Sequence, residues 1–220
     1  IRRVVGQAQK SKASRIVVAT DHEAVVTALR GSNCETVMTS PELQSGTDRL
    51  ASAAEYLALD ESTIVVNLQG DEPLMPPECL DEVAEGLVRS NADMATLACR
   101  FDSSEMPSDE NSVKVVTTDE GRALYFSRAL IPFDRDGIAV TGDAAYRRHI
   151  GLYAYRVNFL KEFVHWPCGQ LENLEKLEQL RALQRGRSIQ VLEAPRIVPP
   201  GVDTERDLAI ARSHYQELNK

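Results

Sequence analysis

The sequence predicts an α/β fold with a mostly parallel sheet flanked by helices, on three observations. Short β-branched runs alternate with helical patterns along the chain. The two clearest runs, residues 15–20 (RIVVAT) and 63–68 (TIVVNL), are almost continuously apolar, as strands covered on both faces are. The 220 residues are enough for one large domain that buries its core without disulfide or metal staples.

Weaker strand patterns fall at 94–98, 113–116, 123–126, 151–155 and 189–192, and helical patterns near 22–30, 47–58, 77–90, 171–185 and 204–218. Residues 101–112 and 134–148 are polar and read as loops. Residues 1–10 look like the later part of a helix entering the strand at Arg15. An open α/β nucleotide fold normally begins instead with a strand and a Gly-rich phosphate loop, and that pair is missing here. No G-x-G-x-x-G follows any strand, so dinucleotide binding has little support.

Charge and cysteines narrow the function classes. A formal charge of -8 argues against general nucleic-acid binding, which needs a basic surface. It leaves room for an anionic small molecule in a locally basic pocket. Cys34, Cys79, Cys99 and Cys168 form no C-x-x-C pair, so neither a zinc nor a redox motif is present, and scattered thiols fit the cytoplasm. No apolar run reaches the roughly 20 residues of a membrane-spanning helix, and no signal peptide is seen.

Ligands of open α/β sheets bind beyond the carboxyl ends of the strands. The strand at 63–68 runs into Gln69, Gly70, Asp71, Glu72 and Pro73, which puts two carboxylates at a strand tip. Either they meet a hard cation or phosphate, or they form a turn and a helix cap. Gly201, Val202, Asp203 and Thr204 precede the last helical run, where Asp203 or Thr204 reads as an ordinary N-cap. Asp71 and Asp203 taken together could share one Mg²⁺, an ion that takes few protein carboxylates and suits a nucleoside triphosphate. Arg128 and Arg135 flank a third region and offer planar forks for a carboxylate or phosphate, with Arg147, Arg148 and His149 a dozen residues on. Singly, each reads equally as a surface charge or, for His149, a structural histidine. In the helical pattern at 171–183, leucines recur every third residue. Glu172 and Glu175 fall outside their arc, and Glu178 falls just inside its edge, paired, functional or at the rim.

These segments resemble the 3-deoxy-manno-octulosonate (Kdo) cytidylyltransferase family. The matching stretches are residues 18–23, 44–50, 67–73, 125–128, 131–135, 149–153, 177–180 and 201–204, in family order over nearly the whole chain. The resemblance implies a Rossmann-like nucleotidyltransferase fold in a single domain, 1–220, with a mostly parallel mixed sheet and a smaller dimerisation and sugar-binding lobe near 123–165. It implies CTP and Kdo as substrates, CMP-Kdo and pyrophosphate as products, use in lipopolysaccharide or plant cell-wall pectin, and a homodimer. By motif match, Asp71 and Asp203 hold Mg²⁺, and Gln69, Arg128, Arg135, His149, Tyr153, Glu178 and Gln179 line the sugar site, with Arg128 also counted as catalytic. Gln44, Ser45 and Gly46, with Asp71, meet the nucleotide. The family's triphosphate-gripping strand and loop would precede Ile1, and Phe133 stands where many relatives carry Trp. Two alternatives accompany this reading: a cytidylyltransferase for sialic acid or amino-Kdo, and an inactive partner lacking the phosphate loop.

Overall fold

The computed structural model describes residues 1–101, 105–137, 145–202 and 204–217. In chain order the first elements are α1 (Arg2–Ala8), β1 (Val17–Thr20), α2 (Glu23–Ala28), β2 (Glu35–Met38), α3 (Gly46–Tyr56) and β3 (Ile64–Asn67). Then come α4 (Pro77–Ser90), β4 (Met94–Arg100), β5 (Lys114–Thr117), β6 (Ala123–Ser127) and β7 (Arg147–Arg156). The chain continues through α5 (Val157–Val164), α6 (Gln170–Glu175), α7 (Leu180–Gln184), β8 (Ile189–Glu193) and α8 (Glu205–Glu217). Two compact units result, one of residues 1–60, 67–81 and 195–220, the other of 61–66 and 82–194.

In the first unit β1 and β2 pair in parallel, Val17 with Glu35 through Thr20 with Met38. Val37 on β2 and Ala51, Ala53 and Ala54 on α3 are buried. α3 begins with a capping box: Ser45 Oγ accepts from Asp48 N at 3.1 Å and Asp48 Oδ2 accepts from Ser45 N at 3.1 Å. β2 carries only two apolar residues among four, which is why the sequence gives it no strand signal.

The second unit holds a six-stranded mixed sheet in the order β6-β5-β7-β4-β8, with β3 on β7. β4 pairs in parallel with β8 and antiparallel with β7, while β5 is antiparallel to both β6 and β7. The central strand β4 is buried from Met94 to Ala98. Leu97, Leu152, Leu160, Phe163, Leu180 and Ile189 are among the fully buried side chains of this unit.

Two expectations are corrected here. The stretch 134–148 is not loop throughout, because β7 begins at Arg147 and pairs Arg147 with Arg100 and Arg148 with Cys99. Residues 138–144 lie outside the described residues. The helical pattern at 171–185 is two short helices, broken at Lys176, which takes the left-handed conformation (φ 55°). A repeat of three drifts off a 3.6-residue period, so one straight helix could not bury every leucine. The break resets the phase: Leu177 and Leu180 are buried while Leu174 stays 73 % exposed. Glu172, which the single-helix reading places outside the apolar arc, is buried.

Candidate active site

In the first unit the carboxyl ends of two parallel strands converge on α3. Thr39, just after β2, donates its N–H to the carbonyl of Thr20 at 2.9 Å. Arg49 of α3 bonds Asp21 Oδ2 at 2.9 Å and Thr39 Oγ1 at 2.5 Å. The turn 44–46 is therefore fixed from both sides, by the capping box and by this arginine. Gln44 donates its side-chain N–H to Glu42 O at 2.9 Å. The side chains of Ser45 and Gln44 thus already hold local bonds, and Gly46 begins the helix.

β3 ends at Asn67 and the chain turns through Gln69, which is exposed, to the half-buried Asp71. The Asp71 carbonyl accepts from Val202 N at 2.8 Å. Gly201 packs closely here: a Cβ would stand 3.4 Å from the Asp71 carbonyl and 3.2 Å from Glu72 Oε1, which would have to shift slightly. The segment leading to Asp203 is thereby tied to Asp71, although Asp203 itself lies outside the described residues. Asp71 Oδ1 is buried and has no hydrogen-bond partner among the described residues. Such an atom costs roughly 1–3 kcal/mol or more unless a ligand satisfies it. Among the described residues no group of three or more His, Cys, Asp or Glu could hold a metal alone. The donor set fits a hard cation that takes one or two carboxylates and fills its remaining positions with phosphate or water oxygens.

The second unit gathers most of the remaining candidates. His149 and Tyr153 lie on β7, their rings 5.4 Å apart, with Phe126 edge-on to His149 at 4.9 Å. His149 Nε2 is 2.9 Å from Thr96 Oγ1, which also bonds the carbonyls of Ile150 (3.0 Å) and Leu152 (2.9 Å). A hydroxyl proton given to either carbonyl assigns the donor role to Nε2 and the acceptor role to Nδ1. Burial, reinforced by the Arg148 charge, holds the His149 pKa down to about 3, so the ring is neutral. Burial first, then Tyr155 and Glu178, push the Tyr153 phenol well above its ordinary value. Glu178 and Gln179 sit between α6 and α7, Gln179 as the cap of α7. Gln179 is buried, and among the described residues its Nε2 has no acceptor.

Arg128 follows β6, where Nε donates to Glu175 O at 2.9 Å and Nη1 to Glu110 O at 3.1 Å. Arg135 is exposed. Two of the neighbouring arginines are held by carboxylates. Arg147 pairs with Glu193, and Arg148 with Glu105 at 3.1 Å.

Three charged groups near these candidates carried no expectation as site residues. Lys114 is fully buried in β5, Glu175 holds the end of β6, and Arg181 grips Glu172 at 2.6 and 2.8 Å. The one signal for Lys114 is a lysine inside an apolar strand pattern. Glu175 and Arg181 read as ordinary helix-surface charges because their partners are distant or lie beyond the break at Lys176.

The family model described as cytidylyltransferase matches residues 1–189. Two curated proteins named 3-deoxy-manno-octulosonate cytidylyltransferase are each 46% identical to this chain. The one from Haemophilus influenzae aligns over 220 residues, 97% of this chain and 87% of its own length. The one from Yersinia enterocolitica aligns over 213 residues, 96% and 85%. A solved structure of CMP:2-keto-3-deoxy-manno-octonic acid synthetase complexed with CTP superposes with a TM-score of 0.89 at 33% identity, covering 99% of this chain and 87% of that one. 4-Diphosphocytidyl-2C-methyl-D-erythritol synthase, at 11% identity and a TM-score of 0.61, shares the fold alone. The chain belongs to the 3-deoxy-manno-octulosonate cytidylyltransferase family.

Proposed function

We propose that this chain transfers CMP from CTP to Kdo, releasing pyrophosphate, and that the residues above divide the work between nucleotide and sugar. Family membership supports the reaction, and the observation that carries the site is the buried Asp71 Oδ1, unpartnered among the described residues, beside the Gly201–Val202 segment. The anomeric hydroxyl oxygen of Kdo attacks the α-phosphorus and the bond from that phosphorus to the bridging oxygen of pyrophosphate breaks. The hydroxyl proton is lost to solvent.

Both substrates are anionic, so their approach costs Coulomb energy that the protein must offset. Asp71 and Asp203 are the residues that would hold Mg²⁺. The ion, when bound, supplies charge neutralisation and polarises phosphoryl oxygens. The turn Gln44–Ser45–Gly46, fixed by the capping box and Arg49, presents backbone groups to the nucleotide. Arg128 and Arg135 take the sugar carboxylate through charge-assisted hydrogen bonds and orient the attack. Gln69, His149, Tyr153, Glu178 and Gln179 bind sugar hydroxyls. Nδ1 of His149 accepts and Nε2 of Gln179 donates.

No helix among the described residues is long and apolar enough to cross a membrane. A cytoplasmic location is part of the proposal, as the compartment of CTP. So is a homodimer formed through the 123–165 lobe, where Leu124, Leu130 and Phe133 are exposed and Phe133 is 84 % so. Light scattering of the wild type and Phe133→Asp tests it: a dimer that the substitution weakens supports the lobe, and a monomeric wild type removes it.

The specificity test offers CTP with Kdo, amino-Kdo and sialic acid in turn and follows pyrophosphate release. The proposal expects the highest kcat/KM with Kdo. A higher value with sialic acid would replace the sugar assignment.

A further inference from the structure

We propose that Lys114 and Glu175 are positioning residues for Arg128, gripping it from opposite ends of its backbone and side chain so that its fork is set before the sugar arrives. This rests on the reading of Arg128 as a sugar-carboxylate ligand.

Arg128 is held at four atoms. Its N–H donates to Glu175 Oε2 at 3.0 Å and its carbonyl accepts from Lys114 Nζ at 2.6 Å. Nε donates to the Glu175 carbonyl and Nη1 to the Glu110 carbonyl. Glu175 acts at two of these points, and Lys114 acts at one and on the turn that supplies another. Glu175 supplies a carboxylate oxygen to the backbone and its own carbonyl to the side chain. Lys114 holds the Arg128 carbonyl directly. It also bonds the carbonyls of Asp109 at 2.8 Å and Ser112 at 2.5 Å, the turn that presents Glu110 to Nη1.

Both residues are fully committed. The Lys114 side chain is 0 % exposed, and its three N–H groups meet three backbone carbonyls. A buried ammonium is tolerable only when so saturated. Oε1 of Glu175 accepts from Ser127 Oγ at 2.7 Å and lies 3.5 Å from Tyr125 OH, so the carboxylate ties the last residues of β6 to the end of α6. The Glu175 carbonyl is one of the unpaired acceptors at that helix end, a favourable place for a guanidinium. Among the described residues Arg128 Nη2 makes no hydrogen bond, so the outer part of the fork is left for a ligand. Arginine otherwise loses much rotamer freedom on binding, and presetting it removes that cost from the sugar's affinity.

The test is a double-mutant cycle with Glu175→Gln and Arg128→Ala, reading KM for Kdo and for CTP separately, with thermal melting alongside. Glu175→Gln is expected to raise the KM for Kdo by about three- to tenfold, the worth of ordering one long side chain. The KM for CTP is expected to stay put. In the Arg128→Ala background the same substitution is expected to add nothing. If Arg128→Ala raises the KM for Kdo but Glu175→Gln does not, or the two effects multiply, positioning is overturned and the role of Arg128 survives. If Arg128→Ala leaves the KM for Kdo unchanged, the role of Arg128 falls and the positioning with it. Lys114→Met should repeat the Glu175→Gln pattern; where it fails to fold, the Glu175 cycle decides.

Discussion

Val202 donates its backbone N–H to the carbonyl of Asp71 at 2.8 Å, joining two segments more than a hundred residues apart in sequence. The contact brings the residue before Asp203 against the residue whose carboxylate has a buried oxygen with no partner among the described residues. Asp71 is thus tied through its backbone to the residue that precedes Asp203, the second acidic position that the sequence offers for a shared cation.

Asp71→Asn should weaken divalent binding in the presence of CTP, measured with Mn²⁺ by electron paramagnetic resonance. A loss of at least roughly tenfold is expected, since even outer-shell partners of a metal are worth about that much. Asp203→Asn should produce a similar loss. Unchanged Mn²⁺ affinity in Asp71→Asn would remove that carboxylate from the metal site.

Arg128→Ala should raise the apparent KM for Kdo by roughly ten- to a hundredfold, the value of a hydrogen bond to a charged group. Its effect on the KM for CTP should be smaller. The reverse pattern in initial-rate kinetics would move Arg128 to the nucleotide.

His149 makes stability depend on acid. Its pKa is about 3 in the fold against 6.5 ordinarily, so between those values the unfolded chain binds a proton that the native state does not. Its contribution is complete above about pH 6.5 and is lost as pH falls toward about 3. The folding equilibrium changes by up to about tenfold per pH unit within that window. Urea midpoints from pH 7 to 4 should therefore fall more steeply for wild type than for His149→Gln. Parallel slopes would show that the imidazole titrates normally.

Glu172→Gln should destabilise the second unit by about 3–5 kcal/mol, because it leaves the Arg181 guanidinium with its main partner neutralised in a site where both side chains are about nine-tenths buried. Burial raises the Glu172 pKa, but bonds from Arg181, Cys168 and the Gly169 N–H together hold it below the ordinary value. Arg181 also lies 4.7 Å over the Phe163 ring and 3.6 Å from Glu178, so the loss should spread to the Glu178–Gln179 turn. Denaturant unfolding measures it, and a change under 1 kcal/mol would contradict the pair's importance.

The parts of this fold that were legible are those whose signal is local. The runs at 15–20 and 63–68 appear as β1 and β3 because β-branched residues mark buried strands wherever they pack. The helical pattern near 47–58 appears as α3, whose capping box of Ser45 and Asp48 went unread. α5, with Val157, Phe159, Leu160 and Phe163 buried, follows β7 without an intervening turn and gives no boundary to read. The break at Lys176 was invisible because no Gly or Pro marks it, and it separates the exposed Leu174 from the buried Leu177. In the candidate site, the place of Asp71 just beyond the end of a strand was legible. Lys114 and Glu175 were not, since their roles exist only once β5, β6 and α6 are side by side.

The most direct measurement is ³¹P NMR of the protein mixed with CTP, Kdo and Mg²⁺. The account predicts resonances of CMP-Kdo and pyrophosphate growing at equal rates with wild type, and almost none with Asp71→Asn. Equal product from Asp71→Asn at saturating Mg²⁺, or no CMP-Kdo from the wild type, would contradict it.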